Sequence, residues 1–301
     1  MSKTLLVVAA EANYFPLAQD ALQSVLDKPE RSQIALGFLD LGCNQPQREW
    51  LQSHVDRLET VDWGDFTVSY PDDTPNYLKI VLARPCVPQY FPGFEVYLWL
   101  DADAWVQKWE AIALLRTGAQ KHKGLAIVPE IHRHASFLYD GRWPQFLGWM
   151  QRLYLDAGGA DLAQQFCTYP MLNVGVFAAH VASPHWAAWQ QQMEALIVNS
   201  FFNIMTDQMA MNLAVYQNPE VFAHTELLPA WCNTLPTAPA IWDETAQQWV
   251  ERYLPNHPIG ILHLAGKDKP ESLRATTLTG TTVTAPARYR HYRAAILGLP
   301  T

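Results

Sequence analysis

The segment Val96–Leu100 is a run of five apolar residues, VYLWL, and Asp101, Ala102 and Asp103 follow it directly. A short apolar run of this kind predicts a buried strand. Alternate residues of an extended chain point to the same side, so the two aspartates should present their carboxylates together. Such a pair of hard oxygen ligands suits Mg²⁺ or Mn²⁺, ions that commonly carry substrate phosphates. The alternative is a strand end with solvated or helix-capping aspartates, because an Asp-x-Asp arises about once by chance in a chain of this length.

Strand-like apolar runs alternate with helix-like amphipathic stretches through the first half of the chain. The predicted strands are Thr4–Ala9, Gln33–Leu39, Val96–Leu100 and Leu125–Val128, and the predicted helices are Pro16–Leu26, Gln45–Leu58, Pro75–Cys86 and Trp109–Gln120. This alternation predicts an α/β fold with a Rossmann-like, mostly parallel central sheet flanked by helices. In open sheets of this type, ligands bind at the carboxyl edge of the strands, where Asp101 and Asp103 fall.

The second half of the chain is less regular. Helices are predicted at Trp143–Leu155, His185–Asn199 and Thr206–Tyr216, and short strands at Val174–Ala178, Glu226–Leu228 and Ile259–His263. We find no repeat, low-complexity stretch or linker, so we expect a single domain over residues 1–301. Within it, residues 1–130 would bind the nucleotide, residues 131–280 would complete the donor and acceptor sites, and residues 281–301 would form a tail.

The composition excludes several classes of protein. The chain has 301 residues, 49% of them hydrophobic and 17% charged, which is an ordinary globular balance. A net charge of −8 argues against a nucleic-acid binder, so an anionic substrate would need a local metal ion or basic side chains. The four cysteines form no Cys-x-x-Cys pair, which leaves no zinc or redox motif and indicates a cytoplasmic protein. The first apolar run is too short for a signal peptide, and no run is long enough to span a membrane.

Several common catalytic motifs are absent from the sequence. No G-x-G-x-x-G follows the first strand, and no G-x-S-x-G or H-E-x-x-H occurs. Gly260 and Gly266 are separated by five residues, and Asp268 follows Lys267 where a P-loop needs Ser or Thr. The chain is therefore not predicted to be a dinucleotide-binding, P-loop, α/β-hydrolase or zinc-protease domain.

The segment Leu262–Pro270, LHLAGKDKP, combines a metal-binding side chain with basic residues. A strand delivers His263 to a turn, and imidazole is a competent third ligand for Mn²⁺. Gly266 permits a close approach of the backbone to a ligand, and Lys267 and Lys269 could offset phosphate charge. The alternative is a surface turn with solvated lysines.

The first strand ends in a segment, AAEANY, that suits a planar base. Small residues such as Ala9 let a base approach the backbone, Glu11 and Asn13 offer hydrogen-bonding groups to its edge, and Tyr14 could stack on it. The alternative is an ordinary connection from strand to helix, in which Asn13 caps the helix.

Two segments in the second half place polar groups beside apolar strands and helices. Asn173 interrupts the apolar strand LNVGVF, and Asp207 and Gln208 begin the helix TDQMAMN. A buried amide must find hydrogen-bond partners, so Asn173 is either structural or directed at a ligand. Asp207 could equally cap the helix.

Taken together, the five segments AAEANY, VYLWLDAD, LNVGVF, TDQMAMN and HLAGKDKP resemble glycosyltransferase family eight. That family includes glycogenin and bacterial lipopolysaccharide galactosyl- and glucosyltransferases. The segments occur in the family's order, and the last matches its His-x-x-Gly-x-x-Lys-Pro pattern in full. The resemblance implies a GT-A fold and the transfer of a hexose, with retention, from a nucleotide sugar. UDP is the usual carrier, and the acceptor hydroxyl would belong to a saccharide, a lipid-linked sugar or a protein.

The resemblance also implies roles for individual residues. Asp101, Asp103 and His263 would hold Mn²⁺ or Mg²⁺, and Asp207 and Gln208 would lie at the reacting centre. The nucleotide sugar would contact Ala9, Glu11, Asn13, Tyr14, Arg84, Asp101, Ala102, Asp103, Asn173, Gly266 and Lys269, with Lys79 as a rival to Arg84. The chain departs from the family at Met209, where a third carboxylate is frequent, at Glu271, where an aromatic residue is usual, and at Glu11, where aspartate is usual.

Two other functions and two peripheral segments stay open at this point. A phosphatase or phosphotransferase could also use the Asp-x-Asp, and a non-catalytic protein could bind a nucleotide sugar without turnover. The segment 130–134 either reaches an acceptor or forms a solvated loop. The basic and aromatic segment 287–293 either contacts the inner face of the membrane or a lipid-linked acceptor, or forms a terminal helix packed by its tyrosines.

Overall fold

The computed structural model describes residues 3–66, 73–133, 135–235 and 240–297, so His134 of the loop that follows Glu130 lies outside the described residues. Seven strands form the central sheet in the order β3-β2-β1-β4-β7-β6-β8. Their bounds are β1 Thr4–Ala10, β2 Ala35–Asp40, β3 Arg57–Thr60, β4 Val96–Leu100, β6 Leu125–Pro129, β7 Leu172–His180 and β8 Thr225–Leu227. Every neighbouring pair is parallel except those of β7, which is antiparallel to both β4 and β6. The expected α/β fold with a mostly parallel sheet is confirmed.

Helices cover both faces of this sheet. Their bounds are α1 Phe15–Leu26, α2 Gln45–His54, α3 Lys79–Ala83, α4 Val87–Tyr90, α5 Trp109–Gln120, α6 Trp143–Gly158, α7 Ala160–Phe166, α8 His185–Val198, α9 Thr206–Tyr216, α10 Pro219–Ala223 and α11 Tyr289–Leu297. Alternate residues of β1 enter different cores: Leu5 and Val7 pack in the layer that contains α9, and Leu6 and Val8 in the layer of α1 and α5. Burial on both faces explains why the strand sequences are continuous apolar runs.

Three short antiparallel pairs lie outside the central sheet. They are β5 Ala104–Val106 with β11 Ile261–His263, β9 Ile241–Asp243 with β10 Gln248–Val250, and β12 Ser272–Thr276 with β13 Thr282–Pro286. Their inward side chains form a third apolar cluster around Trp105, Trp242 and Trp249. Except for β11, these strands were not predicted, because three to five residues carry little periodicity.

Several predicted boundaries were wrong for local reasons. The helix predicted over Gln45–Leu58 ends at His54, because Arg57–Thr60 pairs with β2 as the edge strand β3. The helix predicted over Pro75–Cys86 is broken into short α and 3₁₀ turns, since Pro85 cannot continue a regular helix. The strand predicted over Gln33–Leu39 begins at Ala35, because the residues up to Gln33 form a 3₁₀ turn.

The carboxyl-terminal segment is a helix packed by its tyrosines. Tyr289 and Tyr292 are buried, with ring centroids 5.6 and 4.8 Å from that of Trp105. Arg288 and Arg290 both contact the carboxylate of Asp20 at 2.9 Å. Membrane contact through residues 287–293 stays a prediction, as do the functional subdivisions of the domain. In the described part of the chain, no helix is long and apolar enough to cross a bilayer.

Candidate metal and donor site

Asp101, Asp103 and His263 converge at the carboxyl edge of β4. The two aspartates lie in the turn between β4 and β5, and His263 ends β11, where it pairs with Ala104 of β5. His263 Nε2 lies 3.3 Å from Asp103 Oδ1 and 3.8 Å from Asp101 Oδ2. One ligand atom from each residue lies within 4.8 Å of the others. The structure therefore confirms the prediction that these three side chains lie close together.

The electrostatics of this cluster favour a positive charge between the carboxylates. Burial alone would raise the pKa of Asp103, but His263 and Lys269 hold it well below its usual range. Burial alone would lower the pKa of the His263 imidazole, but Asp103 and Asp101 raise it overall. A divalent cation would meet the same requirement for positive charge, and its binding would displace the proton from Nε2.

The backbone beside the cluster is shaped to leave room for it. A Cβ atom on Gly175 of β7 would lie 2.6 Å from Asp101 Oδ2, and closer still to the His263 ring. The Gly175 carbonyl meanwhile accepts a 2.8 Å hydrogen bond from the Asp101 amide. Two carboxylates and one imidazole suit Mn²⁺ or Mg²⁺, ions that commonly carry phosphate oxygens. The residues present therefore fit the ion that the sequence predicts.

Replacing Gly175 with alanine should disable the site while leaving the fold intact. The new methyl group would push His263 and Asp101 apart, so that they could no longer contact one ion together. We expect the affinity for Mn²⁺ to fall in Gly175→Ala. The matched control is Gly148→Ala in α6, where an added Cβ has no neighbour within 4 Å. Wild-type Mn²⁺ affinity in Gly175→Ala, measured by titration, would contradict the assignment of the ligands.

Arg84 joins the metal cluster to Asp207. Its guanidinium is buried, donates to Asp101 Oδ1 at 2.7 Å, and forms a short ion pair with Asp207 Oδ2. The Trp99 indole donates to the same Asp101 Oδ1 at 2.7 Å, so Asp101 Oδ2 is the oxygen left for a metal. Lys79, the rival to Arg84, lies instead 5.9 Å from the centroid of the Trp63 ring.

Asp207 is fully buried at the start of α9. Burial raises the pKa of its carboxyl to about 6, although Arg84 opposes that shift. Its Oδ1 accepts the Gln208 amide hydrogen at 2.8 Å inside the first turn, but the residue that precedes α9 is Met205, and this helix has no side-chain cap. The alternative in which Asp207 caps the helix was therefore wrong.

A chain of amides extends from His263 to the carboxylate of Glu130, the first residue of the segment 130–134. Asn233 Oδ1 lies 3.0 Å from His263 Nδ1, and Asn233 Nδ2 donates to Asn173 Oδ1 at 3.0 Å. Asn173 Nδ2 and Gln208 Nε2 then donate to Glu130 Oε1 at 2.8 and 3.2 Å. The predicted residues Asn173 and Gln208 are thus brought together. Asn233 was missed as a member of the site. Glu130, which directly follows strand β6, was named only as the first residue of the segment 130–134, and its contacts with Asn173 and Gln208 were not predicted.

The predicted base-binding residues lie at the end of β1, the parallel neighbour of β4. Ala9 is buried in the strand, and Asn13 Nδ2 lies 3.3 Å from Glu11 Oε1. Tyr14 is 42% exposed and is the residue that precedes α1, which has no side-chain cap. The alternative in which Asn13 caps that helix was therefore wrong. The three polar side chains remain available to a ligand at the edge that carries Asp101.

The segment after β11 folds back over the aspartates. Lys269 forms a short ion pair with Asp103 Oδ2 and donates to the carbonyl of Leu264, while Lys267 is exposed. Gly266 has a φ of +104°, a conformation that glycine adopts without strain, and faces open space. Lys269 is thus placed next to the predicted metal ligand Asp103, and its contact with a diphosphate stays a prediction.

The fold resembles those of solved glycosyltransferases. An active-site mutant of LgtC matches over 99% of this chain and 96% of its own, with 17% identity and a TM-score of 0.59. The galactosyltransferase LgtC in complex with donor and acceptor sugar analogues matches over the same shares, with 16% identity and a TM-score of 0.56. The bifunctional glycosyltransferase WbbM matches over 89% of this chain but 47% of its own, with 13% identity and a TM-score of 0.56. No protein-family model and no curated protein sequence matches the chain. The chain has the GT-A fold.

Proposed function

We propose that this protein is a glycosyltransferase of the family eight type, which moves a hexose from a UDP sugar to an acceptor hydroxyl with retention and requires Mn²⁺ or Mg²⁺. The observation that carries the proposal is the cluster of Asp101, Asp103 and His263 at the carboxyl edge of β4 in a GT-A fold. A site at that edge of an α/β sheet is where a nucleotide is bound. The acceptor would be a saccharide, a lipid-linked sugar or a protein.

The proposed chemistry places positive charge where the leaving group becomes negative. Breaking the bond to the anomeric carbon leaves a nucleoside diphosphate, and a divalent ion held by the three ligands would act as a Lewis acid for it. Lys269 would exchange its contact with Asp103 for the diphosphate. Arg84 would hold Asp101 in place and keep Asp207 directed at the donor sugar.

The environment of Asp207 and Gln208 supports attack from the front face. A double displacement needs a free carboxylate at the anomeric carbon, but Asp207 is buried and paired with Arg84. Gln208 is an amide, which is a poor nucleophile, and its Nε2 is bound to Glu130. The acceptor hydroxyl would therefore attack directly and pass its proton to the departing phosphate. A covalent glycosyl adduct on Asp207, detected by mass spectrometry, would contradict this route.

A panel of nucleotide sugars tests the proposal as a whole. Purified protein is incubated with each donor, with Mn²⁺ and then with excess chelator, and nucleotide release is measured. We expect slow hydrolysis of a UDP-hexose that stops with chelator and returns when Mn²⁺ is restored. Release of phosphate from simple esters would indicate a phosphatase instead. Binding of a nucleotide sugar without turnover, with metal and acceptors present, would indicate a non-catalytic protein.

A further inference from the structure

Asn233 lies behind the predicted metal ligand His263 and belongs to none of the segments that carry the sequence resemblance. It follows the 3₁₀ turn Ala230–Cys232 and its side chain is completely buried. Its Oδ1 lies 3.0 Å from His263 Nδ1, on the side of the ring away from the carboxylates. His263 is itself 3% exposed, so water does not readily replace this contact.

The direction of the hydrogen bonds in this chain of amides is set at its far end. The oxygen Glu130 Oε1 accepts from the amide nitrogen of Asn173 at 2.8 Å, which fixes the orientation of that amide. Asn173 Oδ1 then accepts from the Gly175 amide and from Asn233 Nδ2, each at 3.0 Å. The amide nitrogen of Asn233 is therefore committed to Asn173, and its oxygen must face the imidazole.

An oxygen acceptor at Nδ1 determines which imidazole nitrogen binds a metal. Nδ1 must carry a hydrogen to donate to Asn233, so in the neutral ring the lone pair lies on Nε2. Nε2 is the nitrogen that faces Asp101 and Asp103. Metal-binding histidines commonly donate their second N–H in this way, and loss of the partner typically costs 10–100-fold in metal affinity.

We infer that Asn233 is a positioning residue for the metal site, holding His263 in the Nδ1–H form with Nε2 directed between Asp101 and Asp103. The inference rests on the metal site of the proposed function. It adds that the affinity of the site depends on a residue that contacts neither the metal nor the sugar. It also connects the metal ligand, through Asn173 and Glu130, to Gln208.

Mn²⁺ titrations followed by electron paramagnetic resonance of the free ion test this role. The titrations compare the wild type with Asn233→Leu and with Asn233→Ala, which leaves room for a water molecule. We expect Asn233→Leu to bind Mn²⁺ about 10–100-fold more weakly, with Asn233→Ala between it and the wild type. Thr234→Val is the matched control, because it removes a neighbouring, partly buried hydrogen bond from Thr234 Oγ1 to the Ala230 carbonyl and leaves the contact of Asn233 with the His263 ring in place.

A second readout separates positioning from a purely structural role. Nitrogen-15 spectra of metal-free protein, at a pH where the ring is neutral, should show His263 in the Nδ1–H form in the wild type and in a mixture of tautomers in Asn233→Leu. Unchanged Mn²⁺ affinity in a folded Asn233→Leu, or an Nε2–H tautomer in the wild type, would overturn the inference while leaving the proposed function intact. If the wild-type protein bound no Mn²⁺, or bound it equally well after Asp103→Ala, both the inference and the proposed function would be overturned.

Discussion

Asp103→Ala is expected to reduce metal-dependent turnover by at least about 10³-fold, which corresponds to about 4 kcal/mol of transition-state stabilisation. Asp103 contributes one predicted metal ligand through Oδ1 and holds Lys269 through Oδ2. Its removal would therefore weaken the binding of the metal. It would also release Lys269, the cation proposed to contact the diphosphate, from its ion pair. The measurement is nucleotide release from the preferred donor at saturating Mn²⁺, together with the Mn²⁺ affinity.

Asp268→Ala is the matched control for this variant. Asp268 is an exposed carboxylate in the same carboxyl-terminal segment as Lys269, but it is not part of the metal cluster. The control removes one negative charge from the same region of the protein and should keep its Mn²⁺ affinity and turnover. If the two variants lost Mn²⁺ affinity and turnover equally, the cause would be the change in net charge of this region and not the loss of a metal ligand. Full activity in Asp103→Ala would rule out the proposed metal site.

Arg84→Met is expected to lower the free energy of unfolding by about 3–5 kcal/mol, because it leaves the buried carboxylate of Asp207 and the partly buried carboxylate of Asp101 without their counter-charge. Asp207 is fully buried, and Asp101 keeps only the Trp99 indole on Oδ1. Methionine preserves most of the volume and the apolar contact with the Trp99 ring, whose centroid lies 4.8 Å from the Arg84 guanidinium carbon. Chemical denaturation at neutral pH provides the measurement.

The double variant Arg84→Met with Asp207→Asn tests the cause of that loss. Asparagine has nearly the same shape as aspartate but no charge, so the second substitution should recover a large part of the lost stability. Turnover should stay low, because neither the charge that orients Asp101 nor the Asp207 carboxylate returns. If the double variant were no more stable than Arg84→Met, the buried charge on Asp207 could not be the cause.

The sequence predicted the parts of the fold that have long periodic signals. Helices α5 and α9 and strand β4 begin and end where the apolar pattern predicted, because each has a continuous buried face. The antiparallel direction of β7 was not predictable from its own residues, since a strand buried on both faces reads the same in either direction. The two-stranded pairs were missed because tertiary packing around Trp105 and Trp249, rather than local pattern, stabilises them.

The candidate site was predictable where its residues occur in recognisable segments. Asp101, Asp103 and His263 were assigned to one metal, and the structure brings them together. Asn233 could not be found in this way, because an isolated asparagine after the short turn Ala230–Cys232 carries no periodicity and no motif. Its position becomes informative only when His263 is placed next to it by the pairing of β5 with β11. The roles assigned to the nucleotide-binding residues remain predictions.

The main-chain hydrogen bonds between β5 and β11 fix the distance between Asp103 and His263. Ala104 lies opposite His263, and the Asp103 carbonyl accepts the Leu264 amide hydrogen at 2.9 Å. A shift of one residue in this register would turn His263 to the opposite face and separate the ligands completely. The Trp105 indole also donates to the Ala287 carbonyl at 2.7 Å, which connects β5 to the residues between β13 and the carboxyl-terminal helix. Metal affinity should thus report on the folding of residues 261–297, and partial unfolding there should release a bound ion before the central sheet opens.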